Sequence, residues 1–406
     1  MRHRRAPMEP SADNKKRADR YCWWVSKALR VILRPRLQLT VDGAQHVPRE
    51  EPVLVVCNHV HALDPINLIL AADRCIHWLA TESLWDKPVP AWFCTGSGAV
   101  PRKKFVTDSK SIRHLKAWRD LGGAVGLFPE GERTWDGNRL PLVPGIEKLV
   151  RLLDAPVVTA RVINAYRHQP RWADHGRRGR IHVEFDPPRR FDRKDKPEEV
   201  RRYIEERITV DPAQGADWEV KGSRLAHGLA NVLFACPNCH TFDGLVEKGD
   251  DIVCRSCGAG WRLDTNHRLH PAGGGGALTV ADAVATARSR LAQSWVADAA
   301  AFAADGTILH SEEMELLALG DEIRSLGKGR MRLSPEALVF SAGAQAVWTL
   351  PLSEMRAVAV DMQRRLQFRD KDGKPFEAVL PRESVLKWYW IADHWRKRAG
   401  AKDVAE

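Results

Sequence analysis

The chain has 406 residues, with 63 Lys and Arg against 52 Asp and Glu, a formal net charge of +11, and 44% hydrophobic residues. This composition suits two or three folded domains, and no run of about 18 apolar residues exists to make a spanning helix. Eight cysteines, four scattered (Cys22, Cys57, Cys75, Cys94) and four in two close pairs, argue against a dense disulfide framework and suit a reducing cytosol.

The charge is uneven. Residues 1–40 hold eleven Lys or Arg and only three acids, which points to an acidic partner touched at one end, anionic lipid or nucleic acid. Residues 1–19 read as a basic flexible tail, with no secretory signal pattern. From residue 20 to residue 34 the pattern is that of an amphipathic helix. Arg20, Lys27, Arg30 and Arg34 share one face, while Tyr21, Trp24, Val25, Ala28 and Ile32 line the other. Such a helix either packs on its own domain or lies in a membrane interface.

Gln38–Val41 and Val53–Cys57 read as strands, the second a buried apolar run. After it comes Asn58-His59-Val60-His61-Ala62-Leu63-Asp64-Pro65, where Asp64 suits a helix N-cap and Pro65 the first helical turn. A His leaving a strand end and an Asp opening the next helix can meet, leaving the second ring nitrogen free to take a proton from an alcohol. The plainer readings are a helix cap beside a surface histidine, or a metal site using His59 and His61. Ile76–Ala80 is a further apolar strand, and Gly98 to Pro101 opens into Arg102-Lys103-Lys104. Ser109–Leu121 reads as a helix and Gly123–Phe128 as a strand ending in Pro129-Glu130-Gly131-Glu132-Arg133. Gly131 permits a sharp turn at the end of a buried strand, where open α/β sheets place their sites. Gly145–Leu153 and Pro197–Ile208 read as helices, with strands at Pro156–Ala160 and Arg180–Phe185.

These two segments together resemble the lysophospholipid (glycerophosphate) acyltransferase family. His59 to Asp64, preceded by Asn58, matches its His-x4-Asp element, and Phe128 to Arg133 matches its Phe-Pro-Glu-Gly-x-Arg element. The resemblance runs from Cys22 to Ile208 and is carried by two ordered motifs, a far more specific signal than either alone. It implies an α/β domain with a mixed sheet and flanking helices. His59 and Asp64 would be the catalytic pair, and Asn58, Glu130, Gly131 and Arg133 would bind the acceptor with Arg102 or Lys104. Glu132 departs from the small polar residue common there and sets a carboxylate beside the phosphate site. The activity implied is acyl transfer from acyl-CoA or acyl carrier protein to the hydroxyl of 1-acylglycerol 3-phosphate. The protein would then be cytoplasmic and peripheral on the inner face of a membrane. A non-catalytic membrane or protein adaptor is the alternative.

Beyond residue 210 the character changes. Cys236-x2-Cys239 and Cys254-x2-Cys257, fourteen residues apart, have the spacing of a structural tetrahedral zinc site in a ribbon over residues 230–265, with Leu245–Val253 as its hairpin. No dense basic and aromatic stripe accompanies it, so a specific nucleic-acid role is not expected, and a protein partner is the safer reading. Residues 270–306 read as a Gly-rich linker, Gly273–Gly276, and an Ala-rich helical stretch. Residues 307–400 give seven short strands, a Lys371-Asp372-Gly373 hairpin turn and a final helix from Ser384 to Arg398. That pattern resembles a pleckstrin-homology-like barrel, with Arg364, Arg365 and Arg396 to Arg398 as possible contacts.

Overall fold

The fold was examined in a computed structural model that describes residues 6–33, 37–102, 109–192, 194–211, 214–291, 306–320, 323–343, 345–361, 363–381 and 383–402. Two compact units divide it: Met1–Arg171 with Gly176–Gly222, and Trp172–His175 with Ser223–Glu406.

The first unit is built on a mixed sheet. Its strands are β1 (Leu37–Asp42), β2 (Val53–Cys57), β3 (Ile76–Thr81), β4 (Val100–Arg102), β5 (Ala124–Leu127), β6 (Val157–Ile163), β7 (Arg178–Phe185) and β8 (Val220–Lys221). They lie in the order β1-β7-β6-β2-β5-β3-β4, with β8 beside β7. From β6 across to β4 every pairing is parallel, whereas β7 runs antiparallel to β6 and to β8. The helices are α1 (Ala12–Leu33), α2 (Asp64–Ala72), α3 (Pro88–Gly96), α4 (Ser109–Asp120), α5 (Ile146–Leu153), α6 (Ala165–His168) and α7 (Pro197–Ile208).

β2 is buried along its whole length because both faces are covered. Val53, Val55 and Cys57 pack with Ala18 and Cys22 of α1 and with Leu68, Ile69 and Ala72 of α2. Leu54 and Val56 point the other way, toward Leu115 and Trp118 of α4, Val150 and Leu153 of α5, and Val200 and Ile204 of α7. The period-two alternation of a strand thus feeds two cores. Each fully buried Leu, Ile or Val contributes about 1.5–3 kcal/mol.

Two expectations need correction here. The helix predicted from residue 20 begins at Ala12, inside the supposed flexible tail. Its start is capped: Ser11 Oγ accepts from the Asn14 N–H at 3.2 Å, and Lys15 and Asp19 pair at 2.8 Å one turn later. Cys22 and Cys75 are not isolated thiols but a disulfide with Cα atoms 5.4 Å apart, because α1 turns Cys22 inward onto the start of β3. Among the described residues no helix is long and apolar enough to cross a membrane.

The second unit holds two antiparallel sheets. β9 (Leu245–Lys248), β10 (Asp251–Cys254), β11 (Gly260–Leu263), β12 (Arg268–Pro271) and β13 (Leu278–Thr279) form the first and lead into α8 (Val280–Leu291). Gly273–Gly276 therefore joins two paired strands of one sheet rather than linking domains, and the ribbon's sheet extends to Thr279 instead of ending near residue 265. Residues 292–305 of the expected Ala-rich stretch lie outside the described residues. The second sheet contains β14 (Leu309–Ala318), β15 (Arg324–Leu333), β16 (Ala337–Ala342), β17 (Gln345–Pro351), β18 (Ala357–Asp361), β19 (Arg365–Arg369) and β20 (Pro375–Val379), and α9 (Val385–Arg398) closes it. All seven expected strands and the helix are present. The predicted turn at Lys371-Asp372-Gly373 joins β19 to β20, with Gly373 at φ +76°.

Candidate active site

Parallel pairing in register brings the two motifs together. Val56 of β2 lies opposite Leu127 of β5, so each chain emerging three residues later places His59 beside Glu130. These are C-terminal strand ends, the edge at which open α/β sheets bind ligands. The contact is direct: the His59 N–H donates to Glu130 Oε1 at 3.0 Å, and the Leu140 N–H donates to Oε2 at 2.6 Å. A second tie runs from the Thr134 N–H to the His59 carbonyl at 3.1 Å.

Asp64 does not cap its helix as expected. Leu63 occupies the cap position, and the fully buried Asp64 carboxylate turns back over the preceding loop. Its Oδ2 accepts from His59 Nδ1 at 3.0 Å and from the Val60 and His61 N–H groups at 2.8 and 2.7 Å. This fixes the His59 proton on Nδ1 and leaves Nε2 as the lone-pair nitrogen, without a protein partner among the described residues. One face of the ring stacks on Phe128, with centroids 4.0 Å apart, and Phe128 stacks in turn on Trp78 at 4.6 Å. The His59 side chain keeps 19% of its surface exposed.

Burial lowers the His59 pKa below its ordinary value, and nearby Arg133 and Arg171 push the same way against the raising effect of Asp64. The imidazole is therefore neutral near pH 7, the form a general base needs. Burial lifts Glu130 to about 7, although its two backbone hydrogen bonds pull it down. Arg133 is brought to about 10 by burial and then by Arg171, and it stays cationic at neutral pH. Cys57 is held protonated by burial and by Asp64 and Glu130, so it is no thiolate nucleophile despite its nearness to His59.

Two residues expected to touch the acceptor hold backbone in this structure. Asn58 is buried and spends its amide on β6: Oδ1 accepts from the Val162 N–H at 2.8 Å, and Nδ2 donates to the Val162 carbonyl at 3.1 Å. Glu130, also buried, holds backbone at both oxygens. Gly131 adopts φ +72°, and a Cβ there would meet Val143 Cγ1 at 2.7 Å, so the turn requires glycine. Arg102 ends β4 on the same sheet edge, three strand positions from β2, about 14 Å by the usual strand spacing. Lys104 lies outside the described residues. His61 closes the loop, its Nδ1 accepting from the Leu63 N–H at 3.1 Å, and among the described residues His59 and His61 belong to no cluster of metal-ligand groups.

Arg171 carries no sequence signal yet belongs to this site. It lies 38 residues from Arg133 and donates to the Arg133 carbonyl at 3.1 Å and to Glu132 Oε2 at 2.8 Å. Only its distance in space reveals it.

In the second unit, Cys236, Cys239, Cys254 and Cys257 place their sulfurs within 4.8 Å of one another. The Cys236–Cys257 and Cys239–Cys254 separations are 3.8 and 3.7 Å. Four thiolates at about 2.3 Å from a tetrahedral ion would be about 3.8 Å apart. The donor set fits such an ion and closes its shell, leaving no position for water. The cations expected to serve the C-terminal sheet as contacts are internally engaged. Arg364 donates to the Pro381 carbonyl, Arg365 pairs with Glu377 at 2.6 Å, and Arg396 and Lys397 pair with Asp393 at 2.6 and 2.7 Å.

A family model described as Acyltransferase matches residues 38–163. The chain is 28% identical over 162 residues to the 1-acyl-sn-glycerol-3-phosphate acyltransferase alpha of Mus musculus, covering 37% of this chain and 55% of that protein. It is 26% identical over 144 residues to the chloroplastic 1-acyl-sn-glycerol-3-phosphate acyltransferase BAT2 of Brassica napus, covering 34% and 41%. The crystal structure of the 1-acyl-sn-glycerophosphate (LPA) acyltransferase PlsC from Thermotoga maritima aligns with a TM-score of 0.41 at 22% identity, over 47% of this chain and 76% of that one. The chain spans about half the length of the curated relatives it matches. Residues 38–163 thus match the Acyltransferase family model, and the similarity to 1-acyl-sn-glycerol-3-phosphate acyltransferases covers about a third of the chain.

Proposed function

We propose that this chain transfers an acyl group from acyl-CoA or acyl carrier protein to the free hydroxyl of 1-acylglycerol 3-phosphate, giving phosphatidic acid. The observation that carries the reading is the fixed His59: Nδ1 bound by Asp64, backbone tied to Glu130 and Thr134, and Nε2 free on a ring that keeps solvent access. Nε2 takes the hydroxyl proton as the alkoxide oxygen bonds to the thioester carbonyl carbon. Collapse of the tetrahedral oxyanion breaks the C–S bond, and the imidazolium returns the proton to the leaving thiolate. Buried Asp64 stabilises the imidazolium between these steps. A base placed in this way supplies about 10²–10⁴-fold, and the remainder comes from holding two substrates together. Arg133, with Arg102 or Lys104, would meet the acceptor's phosphate. The test is thiol release from acyl-CoA with and without lysophosphatidate. The adaptor alternative has no need of the hydrogen-bonded His59, and the assembled site argues against it.

The reading extends to the remaining parts. The outward face of α1 exposes Trp23, Trp24, Val31 and Ile32, with Lys27 5.6 Å from the Trp23 ring, which supports docking on an anionic membrane surface. A location on the inner, cytoplasmic face rests on the low cysteine density, and the Cys22–Cys75 pair counts against a fully reduced chain. The four-cysteine cluster is read as a structural zinc site, and the seven strands with α9 as a pleckstrin-homology-like domain that meets lipid or protein.

A further inference from the structure

We propose that Arg171 and Glu132 act as a paired charge regulator that sets how much positive charge the site presents to the acceptor's anionic end, with Arg171 a positioning residue for acceptor specificity. The inference rests on the acyl-transfer reading, in which Arg133 grips a phosphate. Glu132 stands between Gly131 and Arg133, so its carboxylate would oppose that anion if left alone. It is not left alone. Arg171, only 5% exposed, donates from Nη1 to Glu132 Oε2 at 2.8 Å and to the Arg133 carbonyl at 3.1 Å. Its guanidinium carbon sits 4.3 Å over the buried Trp135 ring, and the Trp135 carbonyl accepts from Tyr166 Oη at 2.9 Å. Arg171 therefore straps residues 132, 133 and 135, and Thr134 between them holds the His59 carbonyl.

The charge count follows. Glu132, Arg133 and Arg171 together carry one net positive charge. Removing the Glu132 charge leaves two, and removing the Arg171 charge leaves none. A hydrogen-bonded pair of this kind, with Arg171 buried and Glu132 half-exposed, acts on selectivity more than on the chemical step. Both groups also bear on their neighbours: Arg171 lowers the Arg133 pKa and Glu132 raises it.

The experiment measures kcat and KM for lysophosphatidate at low and high salt in Glu132→Gln, Arg171→Gln, Arg171→Lys and the double variant Glu132→Gln/Arg171→Gln. Glu132→Gln is expected to lower KM by about 3- to 10-fold, and Arg171→Gln to raise it by about 10-fold or more. The double variant should return KM to within about threefold of the unsubstituted chain, and the difference for Arg171→Gln should shrink as salt screens it. Arg171→Lys keeps the charge but loses the stacked fork, so its KM should fall between those of the unsubstituted chain and Arg171→Gln. If Arg171→Gln does not fold, Glu132→Gln and Arg171→Lys decide the matter. Additive losses in the double variant, a fall in kcat without a KM change, or a Glu132→Gln that weakens binding would overturn the pairing. Absence of acceptor-dependent thiol release in the unsubstituted chain would instead remove the functional reading beneath it.

Discussion

Glu130 holds His59 by its backbone: the His59 N–H reaches Glu130 Oε1 at 3.0 Å across 71 residues of sequence. The carboxylate thereby fixes the backbone that carries the ring. Glu130→Gln keeps one acceptor oxygen and faces the second backbone N–H with an amide donor. We expect a loss of about 1–3 kcal/mol in stability and a fall in kcat with little change in acceptor KM. Because burial raises the folded Glu130 pKa to about 7, ionisation disfavours the fold. Its stabilising contribution is complete below the ordinary carboxylate range and is lost as pH rises through about 7. Thermal melts of the two proteins across that window should therefore converge toward higher pH.

The pH dependence of turnover has a defined shape. The base must be neutral, and burial holds His59 below its ordinary pKa. So kcat/KM should fall on the acid side with an apparent pKa below 6.5 and reach a plateau through neutrality. Arg133 keeps its charge across this range, so acceptor binding should not set the alkaline limb. An acid limb centred above 7 would contradict the assignment of His59.

Gly131→Ala tests the turn. At φ +72° any side chain is strained, and the new Cβ would lie 2.7 Å from Val143 Cγ1. The strain costs about 1–3 kcal/mol and displaces Arg133. Acceptor KM should rise at least about tenfold, and wild-type kinetics would show that the turn tolerates a shift.

The zinc reading predicts one equivalent of metal per chain by atomic emission. Stripping it with a chelator should lower the melting temperature of the C-terminal unit as well as unfold the ribbon. Within that unit the ribbon is bonded to α9: Lys387 pairs with Asp243, Ser384 Oγ donates to the Asn231 carbonyl at 2.7 Å, and Phe234 lies 5.6 Å from Trp390. Cys239→Ser should reproduce the effect, and a metal-free chain with an unchanged melt would contradict it.

Much of this is legible in the amino-acid sequence. Val53–Cys57 appears as read because a short, unbroken apolar run bounded by polar residues suits a doubly covered strand. Pro197–Ile208 is also found at its predicted bounds. The start of α1 is hidden in the sequence because the charge of residues 12–19 outweighs the Ser11 capping signal. Misplacing the Gly273–Gly276 turn had another cause: glycine runs serve hairpins and linkers alike. The roles of Asn58, Glu130 and Arg171 depend on strand register and long-range packing, to which spacing along the chain is blind.

The central claim is that His59 Nε2 accepts the proton of the acceptor hydroxyl. Its most direct measurement is lysophosphatidate-dependent thiol release by purified His59→Ala beside the unsubstituted chain, with circular dichroism showing both folded. A loss of about 10²-fold or more in kcat, with the fold and metal content intact, is the predicted result. Turnover by His59→Ala within a few-fold of normal would contradict it.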